Sequence, residues 1–209
     1  MINQLIERVE AAIEKAKKEE TKLEEFHFGI YGMSDKTNRI LFNELVKPGD
    51  KYVEVGTHEG STFVPALYDN QAFGVAIDNW SQFATWQTRN NLINNCSRIG
   101  NSTYQLVEQD CFALDDATKA LIRGANVYFY DGLHSFATQE KGITYYMEYL
   151  APQAIIIVDD WDYDHDGVAA GTRSGLEKTG IKVHKEWVLN KSTTGLRWWN
   201  GIFVAVVER

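Results

Sequence analysis

Cysteine is scarce in this sequence: Cys96 and Cys111 are the two among 209 residues. Two cannot supply the disulfide framework of a small secreted domain, so a reducing, cytoplasmic setting is the expectation. Long apolar runs are missing too. No stretch approaches the roughly 20 residues that a bilayer-spanning helix needs. Nor is there a tract of lysine and arginine. The formal net charge is −8, and the densest basic stretch, "EKAKKEE" at 14–20, is interleaved with glutamates. Phosphate backbones and anionic membrane surfaces require clustered cations, so neither is expected as a partner. Internal repeats and low-complexity segments are absent. The opening "MINQLIERVEAAIEKAKK" is amphipathic and acidic early, unlike a secretory leader.

What remains is enough chain for one sizeable core, with an ordinary 44% of hydrophobic residues. Ile2, Leu5, Ile6, Val9, Ile13 and Ala16 recur at intervals of three and four, which predicts a helix within 2–25. A second helix is expected after Ser34 or Asp35, either of which can cap it, with Ile40, Leu41 and Leu45 facing inward and "KPGD" (47–50) ending it. Five short apolar runs follow: 51–56, 73–78, 104–110, 126–131 and 154–160. Helical patterns separate most of them. That alternation predicts right-handed crossovers and a parallel sheet covered by helices on both faces. Two further runs, 182–189 and 201–208, have too short a connection for a crossover and should pair antiparallel. The expected fold is therefore α/β, Rossmann-like and doubly wound: a seven-stranded sheet, mostly parallel with an antiparallel last strand. Residues 1–30 form a helical N-terminal extension and 31–209 the main domain.

Each of the first five runs ends in Gly, Asp or both. Open α/β sheets bind ligands outside the carboxyl ends of their strands, so Gly56, Asp78, Asp110, Asp131, Asp159 and Asp160 should share one rim. The loop "VEVGTHEGST" (53–62) has G-x-x-x-G rather than the G-x-G-x-x-G of a dinucleotide site. Glu54, inside the strand, is odd for a phosphate cradle and suits a ligand with an ammonium group. Asp78 lies about twenty residues on, where an acid accepts both ribose hydroxyls of an adenosine. His134, three residues after Asp131, is placed for general-base work.

"YVEVGTHEGST", "GVAIDNWSQF", "VEQDCFAL", "YFYDGLHSFATQEKGI" and "LAPQAIIIVDDWDY" occur in order. Together they resemble the class I S-adenosylmethionine-dependent methyltransferases, and most the compact branch with the macrocin O-methyltransferase type of sugar-modifying enzymes. The resemblance implies that Glu54, Gly56, Thr57, Gly60 and Ser61 surround the methionine portion of S-adenosylmethionine. It implies that Asp78 binds the ribose, that Asn79 and Trp80 lie near the adenosine, that Asp110 and Cys111 flank adenine, and that Asp131 begins the acceptor side. His58 stands where many relatives have a central glycine.

The adjacent Asp159 and Asp160 repel, and each raises the other's pKa. A divalent cation, Mg²⁺ first, shared with Asp131 on the neighbouring strand would cancel that repulsion and acidify an acceptor hydroxyl, with His134 taking the proton. "DYDHDG" (162–167) imitates the start of an EF-hand loop, but Arg173 stands where its twelfth-position Glu should be. Trp161, Trp198 and Trp199, with Lys191 and Arg197, are candidate walls of an acceptor pocket. The expected activity is methyl transfer to the hydroxyl of a small-molecule acceptor, sugars among them. The rivals are a metal-dependent oxygenase or hydrolase on Asp131, His134 and Asp159, and a non-catalytic cofactor-binding module. The N-terminal helices are expected to serve as a lid or as the contact of a homodimer.

Overall fold

The computed structural model describes residues 2–162, 167–191 and 197–209. Helix α1, Ile2–Lys18, opens the chain. It stops short of the predicted limit because Glu19 turns left-handed, at φ 56°. A single turn, α2 (Glu25–Phe28), follows, and then α3 (Lys36–Leu45), whose N-cap is Asp35: its side chain accepts the Asn38 N–H. The strands are β1 Lys51–Val55, β2 Phe73–Ile77, β3 Thr103–Val107, β4 Ala125–Tyr130, β5 Leu150–Val158, β6 Lys182–Leu189 and β7 Ile202–Glu208. The helices between them are α4 Phe63–Leu67, α5 Thr88–Cys96, α6 Asp116–Ile122, α7 Phe136–Tyr146 and α8 Val168–Thr179.

The seven strands form one sheet in the order β3-β2-β1-β4-β5-β7-β6. β1 to β5 are parallel, and β7 runs antiparallel to both of its neighbours. The pleat sorts β5 cleanly. Ile155 and Ile157 face a core shared with α1, α3, α4 and α5, whereas Ile156 and Val158 face one shared with α6, α7 and α8. A strand buried on both faces needs an unbroken apolar run, which is why "AIIIV" carries no alternation. Helix α1 belongs to the first of these cores: Val9, Ala12, Ile13 and Ala16 are buried there among residues of α3.

Register decides where the rim lies. Val107, Ile77, Val55, Tyr130 and Val158 are cross-strand partners in one row. The next peptide of each strand still bonds to its neighbour: Gly56 to Ile77, Asp78 to Val107, Asp131 to Val55 and Asp159 to Tyr130. Four of the sequence-predicted residues therefore sit side by side where the strands end. Chain order reverses between β1 and β4, so the switch-point crevice opens between Gly56 and Asp131. Among the described residues, no helix is long and apolar enough to cross a membrane.

Candidate active site

The β1–α4 loop is built by close approach. Gly56 has φ +86°, and a Cβ there would lie 1.8 Å from the Asp131 carbonyl oxygen. Only glycine lets the first loop turn against the end of β4. Gly60 also has φ +85°, with Leu92 and Val64 where a Cβ would go. Glu54 is wholly buried beneath this loop. The Tyr52 hydroxyl donates to one of its oxygens and Thr62 Oγ1 to the other at 2.9 Å. Burial pushes the Glu54 carboxyl up to about 8; the two hydrogen bonds pull it down, and Asp131 and Asp78 add to the rise. Thr57 is buried, and its hydroxyl has no partner among the described residues.

Asp78 is held from two sides: the His58 N–H donates to Oδ2 at 2.8 Å and the Trp80 N–H to Oδ1 at 2.7 Å. Each oxygen keeps a lone pair, and the side chain is partly exposed. His58 itself has φ 50°, so this position adopts the left-handed turn without a glycine. Asn79 is exposed and accepts the Ser81 N–H, while the Trp80 indole donates to the His58 carbonyl at 3.3 Å. Asp110 lies three residues beyond the end of β3, exposed, with its Oδ1 accepting the Phe112 N–H. The neighbouring Cys111 thiol is pushed up to about 12, chiefly by burial, so it is a poor nucleophile at neutral pH.

Across the crevice, Asp131, His134 and Asp160 present ligand atoms within 4.8 Å of one another. His134 Nε2 lies 2.7 Å from Asp160 Oδ2, and Asn200 donates to Asp160 Oδ1 at the same distance. Asp160 reaches this position through a left-handed backbone, φ 56°. Local strain of this kind collects at functional sites. Burial, and then the charge of Asp160, raise Asp131 to about 8 against the pull of His134. Asp159 stays outside this group. It is buried, its Oδ1 has no hydrogen-bond partner among the described residues, and burial and Asp131 push its carboxyl well above the usual range. Of the three aspartates expected to share a cation, two are thus assembled together with His134, and the third stands beside them.

The tryptophans divide. Trp161 is buried, stacked on Phe203 at 4.3 Å, and Trp198 is buried as well, so both are core. Trp199 is exposed, with Lys191 over its ring. Leu133 and Phe136, close to His134 in the chain, are also exposed. Positions 163–166, most of the "DYDHDG" stretch, lie outside the described residues.

Sequence reasoning missed Tyr52 and Thr62, which hold Glu54, and Asn200, which holds Asp160. Period-two spacing from Glu54 could have pointed to Tyr52. Asn200 carries no local signal, because a chain reversal some forty residues downstream delivers it.

A family model described as a methyltransferase domain matches residues 53–161. No curated protein matches the chain. Among solved structures, M. jannaschii TYW2 in complex with AdoMet is similar, with TM-score 0.59, 16% identity, and 86% of this chain covering 78% of that one. A candidate O-methyltransferase from Klebsiella pneumoniae gives TM-score 0.54 at 15% identity, covering 98% of this chain and 90% of its own. TrmN from Thermus thermophilus gives 0.61 at 13%, covering 88% and 51%. At such identities these likenesses are of fold.

Proposed function

The chain belongs to the methyltransferase-domain family, and we propose that it is an S-adenosylmethionine-dependent O-methyltransferase of a small hydroxylated acceptor, assisted by a divalent cation. The observation that carries this reading is the Asp131–His134–Asp160 group set directly across the crevice from the glycine loop. The cofactor fits the first half of the rim. Asp78 offers one oriented carboxylate with two open lone pairs to a ribose diol. The buried, unpartnered Thr57 hydroxyl and the tight Gly56 turn suit the methionine end. A cation fits the second half. Two carboxylates and an imidazole gather within 4.8 Å, and an unpaired buried Asp159 oxygen lies next to them. The carboxylate oxygens favour Mg²⁺, which leaves His134 to take the proton.

The cofactor supplies an already activated methyl group on a sulfonium, and a bound cation would lower the pKa of an acceptor hydroxyl. The protein's own contribution is alignment and a place for one proton. Leu133, Phe136 and Trp199 give a ring-bearing acceptor apolar surface to lie against, which suits the weakly polar face of a sugar. The cofactor would supply the methyl group, and the acceptor's hydroxyl proton would go to His134 Nδ1, because Nε2 faces Asp160 Oδ2. Asp160, 2.7 Å away, stabilises the imidazolium that results. That same contact favours a second reading, in which His134 and Asp160 act as a metal-free base pair.

Transfer of labelled methyl from S-adenosylmethionine to a panel of sugars and polyols, with Mg²⁺ or with EDTA, tests the proposal. Labelled product with Mg²⁺ and none with EDTA is expected. Transfer indifferent to chelation supports the metal-free pair, and transfer to no hydroxyl under any condition overturns the O-methyltransferase reading.

A further inference from the structure

The segment 29–35, between α2 and α3, crosses over the glycine loop. Ile30 is buried and anchors it. A Cβ on Gly32 would lie 2.2 Å from Ser61 Oγ and 2.5 Å from Ser61 Cβ, so the strap's backbone rests on Ser61 itself. Ser34 Oγ donates to Ser61 Oγ at 3.1 Å, and both serines are buried. The Tyr31 ring reaches on to His58, centroids 5.8 Å apart. A side chain of α3 fastens this strap further. Arg39, 3% exposed, donates from Nε to Ser34 Oγ at 3.0 Å, from Nη2 to the Ser34 carbonyl at 3.1 Å and from Nη1 to the His27 carbonyl at 2.6 Å.

Burying a guanidinium is costly, and a carboxylate partner normally offsets it. Among the described residues no salt bridge includes Arg39, and the one carboxylate whose charge supports it, Asp35, only partly offsets the burial. Its hydrogen bonds go to two carbonyls and one hydroxyl. The planar fork can hold three acceptors in fixed directions, which a lysine cannot. Helix stability alone asks for nothing of the kind at the second turn of α3.

We infer that Arg39 is a positioning residue: through Ser34 it clamps the 29–35 strap onto Ser61, closing the glycine loop around the methionine end of the cofactor. The inference rests on the cofactor reading above and deepens it by assigning this wall of the site to the segment before α3. Arg39 touches no cofactor atom in this account. It sets the Ser34–Ser61 contact, and that contact sets the loop.

Two ligands separate positioning from plain stability. S-adenosylhomocysteine carries the methionine end, and methylthioadenosine lacks it. Calorimetric titration of wild type, Ser34→Ala and Arg39→Gln with each ligand is the test. The expected result is about a tenfold loss of S-adenosylhomocysteine affinity in Ser34→Ala and a greater loss in Arg39→Gln, with methylthioadenosine affinity unchanged in both. Ser34→Ala decides the matter if Arg39→Gln does not fold. Equal weakening for both ligands means the strap only supports the fold and overturns the inference, as does unchanged affinity for S-adenosylhomocysteine. A wild type that binds neither ligand overturns the cofactor reading itself, and this inference with it.

Discussion

Glu54 shows best how a residue's chemistry follows from where its strand puts it. Free in an unfolded chain, its carboxyl titrates near its ordinary value of 4.5; in the fold, burial carries it to about 8. The folded state therefore holds a proton that the unfolded state loses as pH rises between those values, so this group's contribution is full below about 4.5 and declines up to about 8. Metal-free protein should lose resistance to urea across that window, and Glu54→Gln should lose less of it. An identical slope in the variant would take Glu54 out of the account. At the catalytic end, Asp160→Asn should cut turnover by at least ~100-fold while sparing cofactor affinity, since it removes the charge that holds His134. Normal turnover in that variant would leave the aspartate pair as an acidic rim. Asp78, Asp131 and Asp160 were legible in the sequence because acids at strand ends have few other reasons to be there. The grouping of Asp160 rather than Asp159 with His134 was not legible, because it depends on a left-handed backbone at one position.

At the scale of elements, the glycine loop and α1 make opposite demands. Gly56 has no room, so Gly56→Ala adds both a left-handed backbone penalty and an overlap with the Asp131 carbonyl. A loss of more than ~3 kcal/mol in denaturant unfolding is expected. A loss under ~1 kcal/mol would show that the loop relaxes freely. Ile13, 4% exposed in α1, fills space against α3, so Ile13→Ala should cost about 2–5 kcal/mol. A neutral result would mark α1 as an appendage rather than core. Most strands emerged from the sequence nearly at their observed limits, because runs such as "FGVAI" and "NVYFY" end at an aspartate, but β3 stops three residues before the expected 110 and β5 starts four before the expected 154. The end of α1 did not: the apolar spacing runs on, but the backbone turns at Glu19.

For the molecule as a whole, alternating strands and helices fixed the crossover handedness and with it the side of the sheet that carries the loops. The order β3-β2-β1-β4-β5-β7-β6 then places Asp78 on one side of the switch point and Asp131 and Asp160 on the other. In the proposed reading one half of the rim would face a nucleoside and the other an acceptor. Long-range partners such as Asn200 for Asp160 and Ser34 for Ser61 escape a linear reading, since nothing near them in the chain announces the contact. The central claim is that this rim binds S-adenosylmethionine through Asp78. Titration calorimetry of S-adenosylhomocysteine against wild type and Asp78→Ala tests it most directly. The account predicts saturable binding by wild type and a roughly ten- to hundredfold loss in the variant, the cost of about 1.5–3 kcal/mol for a charge-assisted hydrogen bond. Absence of binding to wild type, or equal binding by the variant, would contradict it.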